Sequence, residues 1–426
     1  MKNKILRLSK DSRIINSVWM ILEKGTALFG LLFVISAMAK YIGTELYGYI
    51  ALSTSIFVLV KSISQLGLDQ VYFKYVSKKN NHNDLVLKST IYLISFIYLL
   101  ISAIVFFIFY ERLKGVEWGL FISVAFANFI LAIDIRAIHL DAILQSKFNV
   151  LANLVGLVVS LSIRFFIVKY KFDPVYFSVP IVLVTLLPFL IRVYVFKIKK
   201  NVRKIKMDKK SFLKFSKYYF KVGLPLMVSI LSVNIYTQSA NLYMGYKGLI
   251  GDVGIYSVAT LLAGCWCFVP TTLIMSFLPK IYQMKDSLSY IQQAGVVLRG
   301  LIVVNFCIIF FLWFVVEWFV NTMYGPNFLR AVFPFKILLI SSFFSIIGFF
   351  FYRMTMKYSG YSFLAKKMTL TCFFNIVFMF FLVNKFGMIG AAIASLLTEF
   401  FSNILLNLFF RDIRMIQVFK YALIGR

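Results

Sequence analysis

Twelve stretches of this chain stay apolar for about 20 residues, the length of helix that crosses a bilayer, and no other feature limits its fold so strongly. They lie near residues 14–39, 47–68, 89–110, 117–138, 149–169, 174–196, 218–245, 252–279, 294–319, 331–352, 364–384 and 387–410. Hydrocarbon offers backbone N–H and C=O groups no partner, so stretches of this length fold as helices that satisfy their own hydrogen bonds. The fold class that follows is an all-α polytopic membrane protein with about 12 transmembrane helices. A hydrophobic share of 61% and a mean hydropathy of +0.86 agree.

The formal net charge of +30 would suit nucleic acid if the basic residues formed one polar face. They do not. Most of the 46 Lys and Arg fall in the N-terminal tail, in the segments after even-numbered spans, and in the C-terminal tail. The positive-inside rule then places both termini in the cytoplasm, and the charge reflects topology rather than a nucleic-acid partner. Ala37-Met38-Ala39 has the look of a leader cleavage site, but Glu23 and Lys24 interrupt the apolar run before it, and the run's length suits a retained span. All four cysteines, Cys265, Cys267, Cys307 and Cys372, fall inside spans and read as small apolar fillers, so no metal, disulfide or cofactor is expected.

The longest polar segment, KIKKNVRKIKMDKKSFLKFSKYYFK at 197–221, divides the spans six and six. The expected organisation is an N-terminal six-helix lobe with a basic cavity over 1–200, a basic cytoplasmic linker lying on anionic lipid over 201–217, a second six-helix lobe over 218–410, and a cytoplasmic tail over 411–426. KYIGTELYGYIAL after span 1 and KGLIGDVGIYSVATL after span 7 share an Ile-Gly, a polar step and a Gly with Tyr. Six spans return the chain to the same side, so the halves are expected as a parallel repeat with a cavity between lobes. In GMIGAAIASLLTE, small residues four apart (Gly387 with Ala391, Gly390 with Ala394) permit close helix packing, while Pro180, Pro188, Pro225 and Pro270 permit bends.

Charges inside the spans are the main functional signal. In WMILEKGTALFG, Lys24 follows Arg13 by about 16 Å of helix, which places it near the midplane, where a charge costs roughly 2.5–3.5 kcal/mol. Glu23 and Lys24 point about 100° apart and cannot neutralise one another, so each needs its own partner or a hydrated cavity; a static inter-helix ion pair is the alternative. Lys61 is the second deep cation, and with Lys24 it suggests a basic cavity in the first lobe. Arg164 is close enough to the outer rim to snorkel, and Arg192 reads as a cytoplasmic rim anchor. Asp134, with Arg136 and His139, reads either as a lining of the inner mouth or as a wetted amphipathic helix end. In the second lobe the one deep charge is Glu399, a candidate for ion coupling, paired across helices or protonated. Asn234, Gln238 and Asn241 share one face of span 7 and suit either sugar hydroxyls or helix-to-helix hydrogen bonds.

The chain resembles the polysaccharide, or O-antigen, lipid-linked repeat-unit flippases of the multidrug/oligosaccharidyl-lipid/polysaccharide exporter superfamily. The stretches that carry the resemblance are NSVWMILEKGTALFGLLFV, KYIGTELYGYIAL, SQLGLDQVYFKYVSKK, GDVGIYSVA and FGMIGAAIA, spread over nearly the whole length. It implies two six-helix bundles around a central cavity, located in a bacterial cytoplasmic membrane and working with a polysaccharide polymerase machinery. The implied cargo is an undecaprenyl-linked oligosaccharide whose phosphates Lys24, Lys61 and Arg164 would hold, exchanged for H+ or Na+ through Glu23, Glu399 or Asp134.

Two other classes compete. A cationic drug exporter of the same superfamily would want an anionic cavity, and the charges run the other way. A membrane-embedded polymerase or ligase would want a large outer loop with catalytic side chains; the outer loops here are short and hold no nucleophile or phosphate-binding motif, so the chain is not expected to be an enzyme. Replacing Lys24 or Lys61 by alanine is expected to abolish glycan export while the protein stays in the membrane. Surface polysaccharide measured beside membrane-fraction protein checks this; wild-type export from both variants would remove the cavity assignment.

Overall fold

The computed structural model describes residues 25–77, 83–111, 113–143, 145–199, 209–284, 286–410 and 414–424. Glu23 and Lys24 lie outside the described residues, as do 201–208 of the expected linker. Among the described residues every regular element is a helix. In chain order these are α1 (25–42), α2 (44–65), α3 (Leu68–Ser77), α4 (Asn83–Phe109), α5 (Val116–Ile133), α6 (Ile135–Ala142), α7 (Ser146–Tyr170) and α8 (Ser178–Lys199). Then come α9 (Lys209–Tyr246), α10 (Ile250–Cys265), α11 (Phe268–Gln283), α12 (Ser287–Met323), α13 (Val332–Lys357), α14 (361–386), α15 (388–400) and α16 (Met415–Ile424).

Two glycines turn long apolar segments into pairs of spans. Gly43 (φ 79°) separates α1 from α2, and Gly387 (φ 55°) separates α14 from α15, in backbone regions where a Cβ would be strained. With α9, which carries Asn234, Gln238 and Asn241, the expected twelve spans are all present among the described residues, the first of them from residue 25 onward. In the second half the turn glycine is Gly248 (φ 75°), three residues before the Gly251 that sequence similarity pairs with Gly43.

The eighth span is not continuous as its apolar run suggests. It breaks at Trp266–Cys267 into α10 and α11 because Pro270 lacks the N–H that would bond the Trp266 carbonyl; Val269 N takes that carbonyl instead at 3.1 Å. The fourth span breaks likewise at Asp134 (φ −78°, ψ 54°), whose carbonyl accepts from Ala137 N at 3.2 Å. Elsewhere helix starts follow local rules: Asp173 accepts from Val175 N at 2.8 Å with Pro174 at the first position, and Asp286 accepts from Ser289 N at 2.9 Å to begin α12.

The chain forms two compact units, Met1–Asn234 and Ile235–Arg426, and the division falls within α9. The first has a core of Phe57, Ile94, Leu120 and Phe121, with Phe57, Phe106 and Trp118 ringed around Phe121. The core of the second unit is Leu339, Phe350, Phe351, Met354, Ala391 and Ala394. The surface is apolar too, as a lipid-solvated protein requires; Phe107 is 85% exposed and Phe314 68%. The 411–426 region is more than a tail: α16 packs on α12, where Tyr421 covers Gly295 and Arg299 donates to the carbonyls of Tyr421 (2.9 Å) and Ala422 (2.6 Å).

The small residues after Gly387 do what their spacing suggests. A Cβ on Gly390 would overlap the Leu382 carbonyl oxygen, so only glycine lets α15 fold back on α14. Gly390→Ala is expected to cost about 1–3 kcal/mol through forced backbone shift. Thermal unfolding in detergent should show a lowered midpoint for this variant and an unchanged one for Gly300→Ala, where the added carbon meets nothing within 4 Å.

Candidate functional site

One end of the first unit holds a buried ionic cluster. Where the break between α5 and α6 exposes Asp134, Arg192 of α8 reaches across and pairs with its carboxylate; the two are 7% and 6% exposed. Arg192 is therefore not the rim anchor its position near the end of a span suggests. Two more of its N–H groups donate to the side-chain oxygens of Asn149 (2.9 Å) and Asn153 on α7. Asn149 in turn donates to Asp141 and to the Ala137 carbonyl, both at 2.8 Å. Three helices are thus tied to one guanidinium. Beside them Tyr72 and His139 share a buried hydrogen bond of 2.9 Å, with Phe196 edge-on to the imidazole.

Deeper in the same unit stand the two described cations expected for the cavity. Lys61 is half-buried on α2 and lies within electrostatic reach of Asp69. Arg164 on α7 lies beside the buried Tyr47, and its Nε–H has no hydrogen-bond partner among the described residues. An unmet guanidinium donor in a low-dielectric setting is costly. Helices α2 and α7 pack against each other within the unit. Next to Lys61, Ser62 accepts from the Asn234 amide at 2.6 Å, which seats the first part of α9 on α2.

The second unit carries a cation that its position disguises. Lys367 falls near the start of the eleventh span, within a run that counts as cytoplasmic rim, yet it is 3% exposed. Its ammonium donates to Asn407 (3.0 Å) and Asn403 (3.3 Å), and the Asn403 amide donates to the Glu399 carboxylate. Glu399 therefore has a cation across the helix pair, one residue away through an asparagine. A π turn, Phe401–Leu405, follows Glu399 directly and contains Asn403, and Gly348 leaves the room: a Cβ there would overlap the Asn403 amide. The polar seam continues as Thr371 to Ser402 (2.9 Å), Asn375 to Thr398 (3.0 Å) and Ser239 to Asn375 (2.6 Å).

Glu399 also faces a cavity of about 220 Å³ lined by side chains of α9, α10, α13, α14 and α15, with Tyr236, Thr260, Ser342 and Asn375 on its wall. The residues singled out from sequence are thus spread over two units. Lys61, Arg164, Asp134 and Asn234 belong to the first, and Glu399, Gln238 and Asn241 to the second, where Asn241 accepts from Ser257 at 3.4 Å. Arg192 and Lys367 were missed as interior charges. Lys367 had a readable signal, since Lys367, Thr371 and Asn375 fall four apart and share one helix face, as do Glu399, Asn403 and Asn407.

Comparison with known proteins gives a consistent fold. A family profile described as polysaccharide biosynthesis protein matches residues 16–285, more than half of the chain. Among solved structures, the lipid II flippase MurJ in an inward closed conformation aligns with a TM-score of 0.67 at 18% identity, covering 96% of this chain and 91% of that one. A multidrug resistance MATE family transporter of the MOP superfamily, inward-facing, aligns at 0.58 and 15% identity, with 94% of each chain covered. A point mutant of the Vibrio cholerae MATE transporter VcmN aligns at 0.50 and 11% identity over 93% of this chain and 96% of that one. No curated protein matches the chain by sequence. The architecture is that shared by MurJ and the MATE transporters.

Removing Arg192 alone strands the Asp134 carboxylate in a dry interior, at a cost of about 3–5 kcal/mol. Arg192→Met is expected to lower the thermal midpoint sharply. Asp134→Asn with Arg192→Met should recover much of the loss, and a double variant no more stable than the single one would show that the pair is not the source.

Proposed function

The chain belongs to the polysaccharide biosynthesis protein family, and on that premise we propose that it flips undecaprenyl-(di)phosphate-linked oligosaccharide repeat units, of O-antigen, capsule or exopolysaccharide, from the cytoplasmic to the outer face of a bacterial cytoplasmic membrane. The observation that carries this reading is Arg164, a half-buried arginine whose buried Nε–H is unmet among the described residues. A phosphate or diphosphate headgroup cannot enter hydrocarbon unaided, and a charge-assisted bond to a guanidinium offsets its desolvation. Lys61 on the neighbouring helix adds a second positive charge, and Lys24 a third. The polyprenyl chain stays in lipid throughout.

Movement of the headgroup follows alternating access, with coupling to H+ or Na+. Of the carboxylates proposed for this, Asp134 already has its charge matched by Arg192. Glu399 is the one that opens on a cavity and shares an asparagine with a cation, an arrangement suited to gaining and losing a proton. Glu23 lies beside Lys24 in sequence and completes the candidate set. Export of cationic drugs, the other activity this fold hosts, fits less well, because a cavity that offers Arg164 and Lys61 repels such cargo.

In a strain with the native glycan pathway, deletion of the gene is expected to remove surface polysaccharide and to leave lipid-linked oligosaccharide accumulating on the cytoplasmic side. Wild type should rescue both defects and Arg164→Gln neither, with Arg164→Lys intermediate because it keeps charge but loses the planar fork. Normal surface glycan in the deletion strain, with no accumulated precursor, would refute the reading.

A further inference from the structure

We propose that the cavity inside the second unit binds a sugar residue of the transported glycan by accepting hydrogen bonds from its hydroxyl groups. The proposal rests on the flippase reading above and names the part of the cargo that the second unit takes. At about 220 Å³ the cavity has room for one sugar ring rather than for a whole repeat unit. Most of its lining residues are Ser, Thr or Tyr, with one amide, Asn375, although carbon makes up most of the surface they present, and the phenol rings of Tyr236 and Tyr256 supply flat apolar faces.

The hydrogen-bond inventory of that wall decides what it can hold. A Ser or Thr hydroxyl has one hydrogen to give and two lone pairs. Thr260 gives its hydrogen to the Tyr256 carbonyl (3.0 Å), Ser342 to that of Leu339 (2.7 Å), and Thr398 to that of Ala394 (2.7 Å). Each hydrogen is consumed within its own helix, so these oxygens offer lone pairs only. Tyr256 and Ser395 hold one another at 3.0 Å, and Asn375 accepts from Ser239 and gives one of its two amide hydrogens to Thr398. At Thr260, Ser342 and Thr398 the wall therefore accepts, and a matching ligand donates there. A polyol does so without carrying charge.

Charge separates a sugar from the other donors. Glu399 is the one carboxylate on this wall, and it is joined through Asn403 to the ammonium of Lys367, so the pocket as a whole is close to neutral. One carboxylate already facing a fixed cation makes a poor site for a metal ion or an organic cation. Among the described residues no three His, Cys, Asp or Glu side chains gather to hold a metal. Neutral, acceptor-lined and flanked by aromatic rings, the cavity fits a sugar ring.

The test uses the full chain in lipid nanodiscs and, as probe, the oligosaccharide released by mild acid from the host's own lipid-linked precursor. Saturation-transfer NMR is expected to show transfer from wild-type protein to the sugar ring protons. Transfer should be lost in Thr260→Val with Ser342→Ala, and Thr260→Ser with wild-type Ser342 should retain it, at thermal midpoints equal to wild type. In cells, the double variant should lower export of the native glycan by at least about tenfold, as expected when a polar site loses its match. No transfer from wild type, equal transfer from the double variant, or displacement by sodium chloride or tetraphenylphosphonium would overturn the proposal. A deletion strain that accumulates no lipid-linked precursor would instead refute the flippase reading, while the NMR result would still decide whether the pocket takes sugar.

Discussion

Hydrocarbon supplies no hydrogen bonds, so each polar group this chain places in its spans must be matched by another part of the chain or by cargo. That constraint organises both units. In the first, Asp134 and Arg192 neutralise one another and two asparagines accept two more of the guanidinium donors. In the second, Lys367 and Glu399 are joined through Asn403, and a ladder of Thr, Ser and Asn continues the seam along α14 and α15. Among the described residues the Nε–H groups of Arg164 and Arg353 and the side chain of Asn305 depart from this pattern, and on the proposed reading Arg164 is where the headgroup binds.

Backbone irregularity coincides with these polar clusters. The fourth span breaks at the ion-paired Asp134, and the twelfth widens into a π turn at Asn403. The eighth breaks beside Cys267 on the cavity wall, and a π turn over Gly30–Ile35 lies in α1 just after the described chain begins. A regular helix presents its side chains in fixed rows. Interrupting it re-aims one residue toward a partner on a neighbouring helix, and inside protein the freed carbonyls find bonds locally. Glycine does the complementary work: Gly348 clears space for Asn403, and Gly390 lets α15 lie against the carbonyl of Leu382.

These features bear on function through division of labour. A lipid-linked glycan is anionic at the headgroup, neutral or weakly charged along its sugars, and apolar in its tail. The first unit offers deep positive charge, the second offers lone pairs in a nearly neutral cavity, and the outer surface is aromatic and aliphatic. On the proposed reading each part of such a molecule meets a surface of matching chemistry in one chain.

By itself the sequence determined the twelve spans and the close packing of small residues after Gly387. Span length and small-residue spacing are local properties, set by hydrocarbon thickness and by contacts within a few turns. It also marked Lys61 and Glu399 as interior charges, because a charge inside an apolar run is visible without coordinates, while the left-handed turn at Gly387 appeared only in the structure. Only the tertiary structure decided that Arg192 and Lys367, both near span ends, turn inward, that Glu399 has a cation within reach through Asn403, and that the eighth span breaks at Trp266–Cys267. The physical reason is common to them: a long cationic side chain near a membrane rim can extend either to water or to the interior, and the choice rests on oxygens contributed by helices distant in sequence.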